Sequence, residues 1–246
     1  MSDRVLVSPA ELFGDGVFET VHLRESGPWL LDAHLDRLES SAALLGLPLP
    51  PRTALIDRIA AIGPVTGERA LRIICTRESW HVTVSDIPAS ALRERSEGVR
   101  ALSAGAGFAP PWSLAAAKTL SYAPNLAARR WAQAQGADDM IWLTTDGYVL
   151  EAPTASVVWL TGDVLATVPP AEAAILPGTT AAALLARAPS VGLRPAERMT
   201  TIEELRAADA IWLASSLRGL AQLTDLDGEP FPPSPWTRRL QTMLGF

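Results

Sequence analysis

Position 118 holds the sole lysine of the 246-residue chain, in the segment LAAAKTLSYAPN. Lysine and arginine together total 21, so nearly every other basic side chain is an arginine. An amine can lose its proton and attack a carbonyl carbon, whereas a guanidinium stays protonated. Chance retention of one lysine is the alternative, but the apolar flank LAAA is unusual for a surface lysine. Lys118 is therefore the candidate nucleophile.

Two more residues could bind a molecule that carries an aldehyde, a pyridine nitrogen and a phosphate group. Asp146–Gly147 separates two alternating apolar runs and predicts a tight hairpin, and Glu151 ends its second strand. A carboxylate beside a pyridine nitrogen keeps that nitrogen protonated. Arg37 lies in the first long predicted helix, where its guanidinium could bind phosphate. For both residues, a solvated surface position is the alternative.

A glycine and two threonines stand at the start of a predicted apolar helix. Such a start offers an anion N–H groups without helical partners and the positive end of the helix dipole. The hydroxyl groups there could bind phosphate oxygens or simply cap the helix. The candidates are Gly178, Thr179 and Thr180, together with Ser215 and Ser216, which close a later strand.

Hydrophobic periodicity predicts the elements that carry these residues. Alternation from Val17 to Leu23 predicts a strand, and the GPWLL that follows predicts its hairpin partner. Residues 32–45 have helical spacing, and Gly46 is a stop signal. Further helices are predicted in residues 53–63, 125–136, 179–188 and 201–208, and further strands in residues 69–77, 80–86, 155–160, 163–168, 210–215 and 220–226.

The predicted fold class is α/β, of the mixed α+β kind, with two domains. Residues 1–103 form a small α+β domain, and residues 113–246 form a larger mixed sheet with covering helices. Residues 104–112 are the predicted linker, because this stretch is rich in Gly, Ala and Pro and has no periodicity. Its GAG lacks the third glycine of a dinucleotide-binding loop, and Pro110–Pro111 prevents a helix from opening there.

Composition and charge exclude several classes of protein. The chain is 48% hydrophobic and 20% charged, which is typical of an ordered globular protein. Its net charge of −6 and its lack of a basic run argue against nucleic-acid and membrane partners and favour a small-molecule substrate. The single cysteine and the three histidines have no metal-ligand spacing, so no metal is expected. Without a signal sequence or a spanning segment, the expected location is cytoplasmic.

Six segments of the chain resemble the fold type IV pyridoxal-phosphate enzymes, which include branched-chain and D-amino-acid aminotransferases and aminodeoxychorismate lyase. The segments are FGDGVFET, HLDRL, KTLSY, DGYVLEAPTAS, ILPGTT and ADAIWLASSLRGLAQL. Each alone is a weak signal, but all six occur in the family's order over most of the chain. The resemblance implies the two-domain fold type IV architecture, pyridoxal 5'-phosphate as cofactor and a homodimer.

The resemblance also implies roles for individual residues. In this family, an arginine in H-x-x-R-L binds the cofactor phosphate, a lysine forms the Schiff base and a glutamate pairs with the pyridine nitrogen. These roles fall on Arg37, Lys118 and Glu151. The phosphate-binding turn and the late hydroxyl fall on Gly178, Thr179, Thr180 and Ser216, with Ser215 beside it. Tyr122 is a candidate for the cofactor's ring hydroxyl, and Arg72, Arg77 and His81 are candidates for a substrate carboxylate.

The chain departs from the family pattern at three places. Ala181 stands where an arginine usually follows the phosphate-binding turn, and Ser156 stands where an asparagine is usual. Thirteen residues precede GDG, fewer than the two strands and turn that usually open the fold. The first hairpin is therefore expected to be shortened.

Three functions remain open at this point. The favoured one is elimination of pyruvate from 4-amino-4-deoxychorismate to leave 4-aminobenzoate, because GDGVFET, KTLSY and EAPTASVVW look most like the lyase subgroup. In that reaction Lys118 would be both the Schiff-base lysine and the proton-transfer base. The first alternative is a branched-chain or D-amino-acid aminotransferase acting with a 2-oxo acid. The second is a cofactor-binding or partner protein with little turnover.

Overall fold

The computed structural model describes residues 8–107 and 112–246. The chain forms two compact units, Met1–Asp86 with Leu114–Ala123, and Ile87–Ser113 with Pro124–Phe246. The predicted α/β fold class is confirmed. The predicted domain boundaries stay predictions, and residues 108–111 of the predicted linker lie outside the described residues.

The first unit contains an antiparallel sheet. Its elements are α1 (Pro9–Phe13), β1 (Gly16–Arg24), β2 (Gly27–Pro28), α2 (Leu31–Leu45), α3 (Arg52–Ala60), β3 (Arg69–Thr76) and β4 (Trp80–Asp86). The strand order is β2-β1-β3-β4. One face of β1 and β3 packs against α2 and α3 in a single apolar core.

Helix α2 forms where the periodicity predicts it. Leu35, Leu38 and Ala42 recur at helical spacing and are buried against the sheet. The helix ends at Gly46, whose φ of 60° is left-handed and favours glycine. Arg37 lies on the same helix, so the packing of α2 against the sheet fixes the position of the Arg37 backbone.

The lysine segment, residues 114–123, returns to the first unit and pairs with the start of β1. The Phe18 N–H donates to the Lys118 carbonyl at 3.0 Å. Gly14 has a φ of +68°, and a Cβ at this position would lie 2.5 Å from the Ser121 Oγ. The first glycine of GDG is therefore needed both for its backbone conformation and for the close approach of the lysine segment.

The second unit contains the larger, mixed sheet. Its elements are α4 (Ala89–Glu97), β5 (Val99–Gly105), α5 (Ala123–Ala134), β6 (Asp139–Leu143), β7 (Ser156–Thr161), β8 (Val164–Thr167), α6 (Pro170–Ala173), α7 (Thr179–Arg187), β9 (Arg194–Glu197), α8 (Ile202–Arg206), β10 (Ala210–Ser215), β11 (Gly219–Leu226), β12 (Glu229–Pro230) and α9 (Trp236–Leu244). The strand order is β6-β5-β11-β10-β7-β8-β9, and β12 pairs with β11. Pairs β5–β6, β5–β11 and β8–β9 are parallel.

The central strands of this sheet are buried along almost their whole length. Every residue of β7 except Thr161, and every residue of β10 except Ser215, is buried. Helix α7 packs against both strands. This explains why ASVVWL and AIWLAS are continuous apolar runs rather than alternating ones.

Two hairpins differ in detail from the sequence prediction. In the segment GPWLL, the strand contains two residues, Gly27 and Pro28. It ends there because Leu30 has a left-handed backbone (φ 56°) and α2 begins at Leu31. The hairpin at Asp146–Gly147 has a three-residue loop, because the Thr144 N–H bonds the Tyr148 carbonyl. Its last loop residue is a left-handed glycine, as three-residue loops require.

Several elements have no counterpart in the sequence prediction. Helices α4 and α9 are mostly polar or exposed, and β9 is a short, largely exposed edge strand. Strand β5 extends to Gly105, two residues into the predicted linker. Within residues 8–107 and 112–246, no helix has the length and apolar character needed to cross a membrane. The same residues contain no His, Cys, Asp and Glu cluster that could hold a metal ion.

Candidate active site

Lys118 is half-buried in the first unit and is held at both backbone groups. Its carbonyl accepts from Phe18 on β1, and its N–H donates to the Ser41 Oγ at 3.0 Å. Ser41 is buried on α2. A strand and a helix therefore fix the backbone from which the amine projects.

The Lys118 ammonium lies over two aromatic rings. Its Nζ is 4.5 Å from the centroid of Phe18 and 5.3 Å from that of Tyr122. These two rings pack edge to face, with centroids 5.2 Å apart. The two rings limit the directions in which the amine can point. The structure thus brings together two of the predicted residues, Lys118 and Tyr122.

Arg37 is buried and forms a bidentate ion pair with Glu19 of β1. Its Nε donates to Oε1 at 2.7 Å, and its Nη2 donates to Oε2 at 2.8 Å. Burial raises the pKa of Glu19, but the charge and hydrogen bonds of Arg37, with help from His34, outweigh it and lower the pKa to about 2. Glu19 is therefore a carboxylate at neutral pH.

His34 completes this cluster from the first turn of α2. Its Nδ1 lies 2.6 Å from Oε2 of Glu19, and both side chains are fully buried. Burial lowers the pKa of His34, more than the contact with Glu19 raises it. A carboxylate can only accept hydrogen bonds, so the neutral imidazole donates from Nδ1.

Arg72 and His81 lie on the sheet face opposite the core. In the β1–β3–β4 register, Phe18 pairs with Ile74 and Ile74 pairs with His81, so Phe18 and His81 share a face. Arg72, two residues from Ile74, projects from the same face and donates to Ser85 at 3.1 Å. The structure therefore places these two predicted residues on the face that carries an aromatic neighbour of Lys118.

Arg77, the third candidate for a substrate carboxylate, follows the end of β3. Its side chain is exposed, donates to the Gly46 carbonyl at 3.4 Å and lies 4.0 Å from Asp15. These contacts do not group it with Arg72 and His81.

The remaining predicted residues belong to the second unit. Glu151 follows the hairpin after β6 and is half-buried, and its Oε1 accepts from the Leu176 N–H at 3.4 Å. Ser215 ends β10 half-buried, and Ser216 follows it as a buried residue.

Helix α7 begins at Thr179, directly after Gly178 as its N-cap. A Cβ at Gly178 would lie 2.0 Å from the Ser156 Oγ, so a side chain there would displace Ser156. Thr179, Thr180 and Ala181 are all buried. Ala181, the third residue of the helix, carries no charge, and Ser156 packs against the glycine of the turn.

Three residues of this arrangement are absent from the sequence prediction. They are Glu19, His34 and Ser41. One signal was available for Glu19: it occupies the same phase as Val17 and Val21 in an alternating strand, where an apolar residue is expected. No sequence signal distinguishes Ser41 from Ser40.

Comparison with known proteins supplies the family. The family model described as amino-transferase class IV matches residues 16–226. The chain belongs to the class IV aminotransferase family. Its members are enzymes that use pyridoxal phosphate, so the expectations of an enzyme and of this cofactor are confirmed.

Individual members of the class IV family are similar over nearly the whole chain. The bifunctional aminodeoxychorismate lyase / D-amino acid transaminase of Mycobacterium tuberculosis is 39% identical over 250 residues, covering 92% of this chain and 86% of that protein. The D-alanine aminotransferase of Bacillus licheniformis is 28% identical over 251 residues, covering 94% and 87%. A solved structure of a hypothetical aminotransferase from Mycobacterium tuberculosis, in its PLP-bound form, matches with a TM-score of 0.91 and 35% identity, covering 99% of this chain and 93% of that chain.

The start of α7 in this class IV enzyme fits a phosphate group. Thr180 is 2% exposed, and its Oγ1 has no hydrogen-bond partner among the described residues. Buried hydroxyls are nearly always hydrogen-bonded, so this one is suited to a bound acceptor. The nine-residue helix adds the N–H groups of its first turn and the positive end of its dipole. The described residues therefore fit the cofactor's phosphate.

Proposed function

We propose that the chain is a pyridoxal-phosphate-dependent 4-amino-4-deoxychorismate lyase, which forms 4-aminobenzoate and pyruvate for folate biosynthesis. The observation that carries the proposal is the sole lysine of the chain, held at both backbone groups and with its amine over two aromatic rings. The 39% identity to a relative named for the same lyase activity supports this reaction.

The proposal gives each predicted cofactor-binding residue a role. Lys118 would bind the aldehyde carbon, Glu151 would keep the pyridine nitrogen protonated and Tyr122 would bond the ring hydroxyl. When bound, pyridoxal phosphate supplies an electron sink for the carbon that loses a proton. The proposed phosphate ligands are Arg37, Gly178, Thr179, Thr180, Ser215 and Ser216.

Lys118 performs the proton transfers in this proposal. Its Nζ, as a free amine, accepts the proton from the ring carbon that bears the substrate's amino group. The C–O bond between the ring and the enolpyruvyl group then breaks as the ring becomes aromatic, and the ammonium donates its proton to the methylene carbon of the departing group, which leaves as pyruvate. Phe18 and Tyr122 stabilise the charged form between these two transfers. Arg72 and His81, on the face shared with Phe18, would bind a substrate carboxylate.

Transamination of D-amino acids with a 2-oxo acid is the second candidate. The relative at 39% identity is named for both activities, and another at 28% identity is named a D-alanine aminotransferase. The same lysine serves both outcomes, because both begin with loss of a proton from the carbon that bears the substrate nitrogen. A choice between them requires measurement of products.

Two assays on the purified holoenzyme distinguish the candidates. With 4-amino-4-deoxychorismate, we expect equal amounts of 4-aminobenzoate and pyruvate. With a panel of D- and L-amino acids and 2-oxoglutarate, we measure glutamate, because pyruvate would also arise from alanine. Glutamate formation without any 4-aminobenzoate would contradict the lyase proposal and support the transaminase. The Lys118→Ala protein is the blank in both assays.

Arg37→Ala tests the phosphate assignment. Loss of a hydrogen-bonded charge lowers the affinity for pyridoxal phosphate about 10- to 100-fold, since such bonds contribute roughly 1.5–3 kcal/mol. The apoprotein is titrated with pyridoxal phosphate and with pyridoxal, which lacks the phosphate and should bind as it does to the unaltered protein. Arg58→Ala, on the exposed surface of α3, is the control. An unchanged affinity for pyridoxal phosphate would remove Arg37 from the phosphate site.

We further propose that the enzyme acts as a cytoplasmic homodimer. Leu126 and Trp131 of α5 are 42% and 50% exposed, and we expect the dimer interface to cover them. Light scattering should give twice the chain mass of 26.2 kDa. Cell fractionation tests the location.

A further inference from the structure

Glu19 lies at a position of β1 where an apolar side chain is expected. It lies between Val17 and Val21 on the core face of β1 and has no exposed surface. Burying a carboxylate among apolar residues is unfavourable unless it is paired. An apolar side chain would pack between the sheet and α2 without a charge. The role of Glu19 is therefore sought in the residues that it contacts.

Glu19 holds one edge of the Arg37 guanidinium. The bonds to Oε1 and Oε2 engage the Nε and Nη2 groups, which lie on the same edge of the planar fork. Two parallel bonds fix the plane of the guanidinium as well as its position. The direction of the opposite edge, formed by Nη1 and Nη2, is thereby fixed too.

The carboxylate is in turn held in place by His34. Its imidazole lies 2.6 Å from Oε2, the oxygen that also accepts from Nη2. His34 is on the same helix as Arg37, three residues earlier, so both partners approach Glu19 from one helix face. The three side chains form a buried cluster on two elements, β1 and α2.

We propose that Glu19 is a positioning residue, which orients the Arg37 guanidinium toward the cofactor phosphate and so sets phosphate affinity. The inference rests on the proposed phosphate role of Arg37. A purely structural ion pair would stabilise the first unit without changing how the protein discriminates phosphorylated from unphosphorylated cofactor. A charge effect alone would act in the opposite direction, because removing a carboxylate near Arg37 would strengthen anion binding.

Glu19→Gln tests the proposal, with the affinities of the full-length apoprotein for pyridoxal phosphate and for pyridoxal as the readout. The ratio is the affinity for pyridoxal phosphate divided by the affinity for pyridoxal. We expect this ratio to fall about tenfold, equivalent to the loss of one charge-assisted hydrogen bond. Because the pyridoxal titration reports general damage to the fold, a loss in both titrations by the same factor would overturn the proposal. An unchanged or increased ratio would also overturn it.

Two further variants make the result specific. The double variant Glu19→Gln with Arg37→Ala should have the same ratio as Arg37→Ala alone, because Glu19 acts through that arginine. His34→Gln, which leaves the ion pair in place, should lower the ratio by less than Glu19→Gln, and this keeps the test available if Glu19→Gln folds poorly. Asp36→Asn is the matched control. Asp36 lies on the same helix and forms an exposed ion pair with Arg52, so its replacement should leave the ratio unchanged.

The design separates the two levels of the proposal. If Arg37→Ala leaves the ratio unchanged, the phosphate assignment itself is wrong. If Arg37→Ala lowers the ratio and Glu19→Gln does not, Arg37 binds phosphate and Glu19 is merely its structural partner.

Discussion

Lys118→Ala should abolish turnover while leaving the fold intact. The loss of proton transfer alone lowers the rate about 10²- to 10⁴-fold, and loss of the covalent bond to the cofactor adds to it. The fold should survive because the backbone bonds to Ser41 and Phe18 do not involve the side chain. The measurements are product formation in both assays and circular dichroism. Turnover within tenfold of the unaltered enzyme would contradict the role of the amine.

The composition of the chain makes the covalent test unusually direct. Borohydride reduction of the holoenzyme should add one pyridoxyl group, and Lys118 is the sole lysine that can carry it. Lys118→Arg should give no lysine adduct. Arg58→Lys, which places a second lysine on the exposed surface of α3, is the matched control and should still give one adduct, at position 118. A peptide map that showed position 118 unmodified would contradict the proposal.

Local patterns in the sequence predict much of this fold, because the pattern and the packing agree. Helix α2 follows from its apolar spacing and its terminal Gly46, and β7 and β10 follow from apolar runs that the sheet buries. Helix α4 leaves no such signal, since Glu94 is its sole buried residue. Helix α9 does carry apolar residues at helical spacing, Trp236, Leu240 and Leu244, before a terminal glycine, and the sequence prediction missed it.

The candidate site is only partly readable from the sequence, for a related reason. Lys118 is conspicuous by its rarity, and the turn before α7 is conspicuous by its glycine and threonines. The partners of Arg37 are not conspicuous, because the bonds join residues 15 and 18 positions apart across two elements. Ser41 is further still from the residue it holds, 77 positions along the chain. Such contacts follow from tertiary packing.

The largest stability effect is expected at a second buried charge cluster, in the second unit. Arg218, in the turn between β10 and β11, donates from Nη2 to Glu94 and to Asp139, each at 2.7 Å. Burial lowers the pKa of Arg218, but the two carboxylates outweigh it and hold that pKa above its ordinary value. Arg129 of α5 also contacts both carboxylates. The cluster joins α4, α5 and β6 to the β10–β11 turn.

Arg218→Met should lower the free energy of unfolding by about 3–5 kcal/mol, because it leaves two buried carboxylates with one arginine. The measurement is urea unfolding of the apoprotein, followed by tryptophan fluorescence. Arg194→Met is the control: Arg194 forms a bidentate pair with Asp163, at 2.7 and 2.8 Å, but both side chains are exposed. Its loss should not be measurable, since solvent screens such pairs.

A compensating variant identifies the cause of the loss at Arg218. Adding Glu94→Gln and Asp139→Asn to Arg218→Met removes the unpaired charges while keeping the side-chain volumes nearly unchanged. If unpaired buried charge causes the loss, the triple variant should recover much of the stability. If lost packing of the Arg218 side chain causes it, the triple variant should be no more stable than Arg218→Met. The first result would show that the carboxylates, once buried by this sheet, make the arginine obligatory.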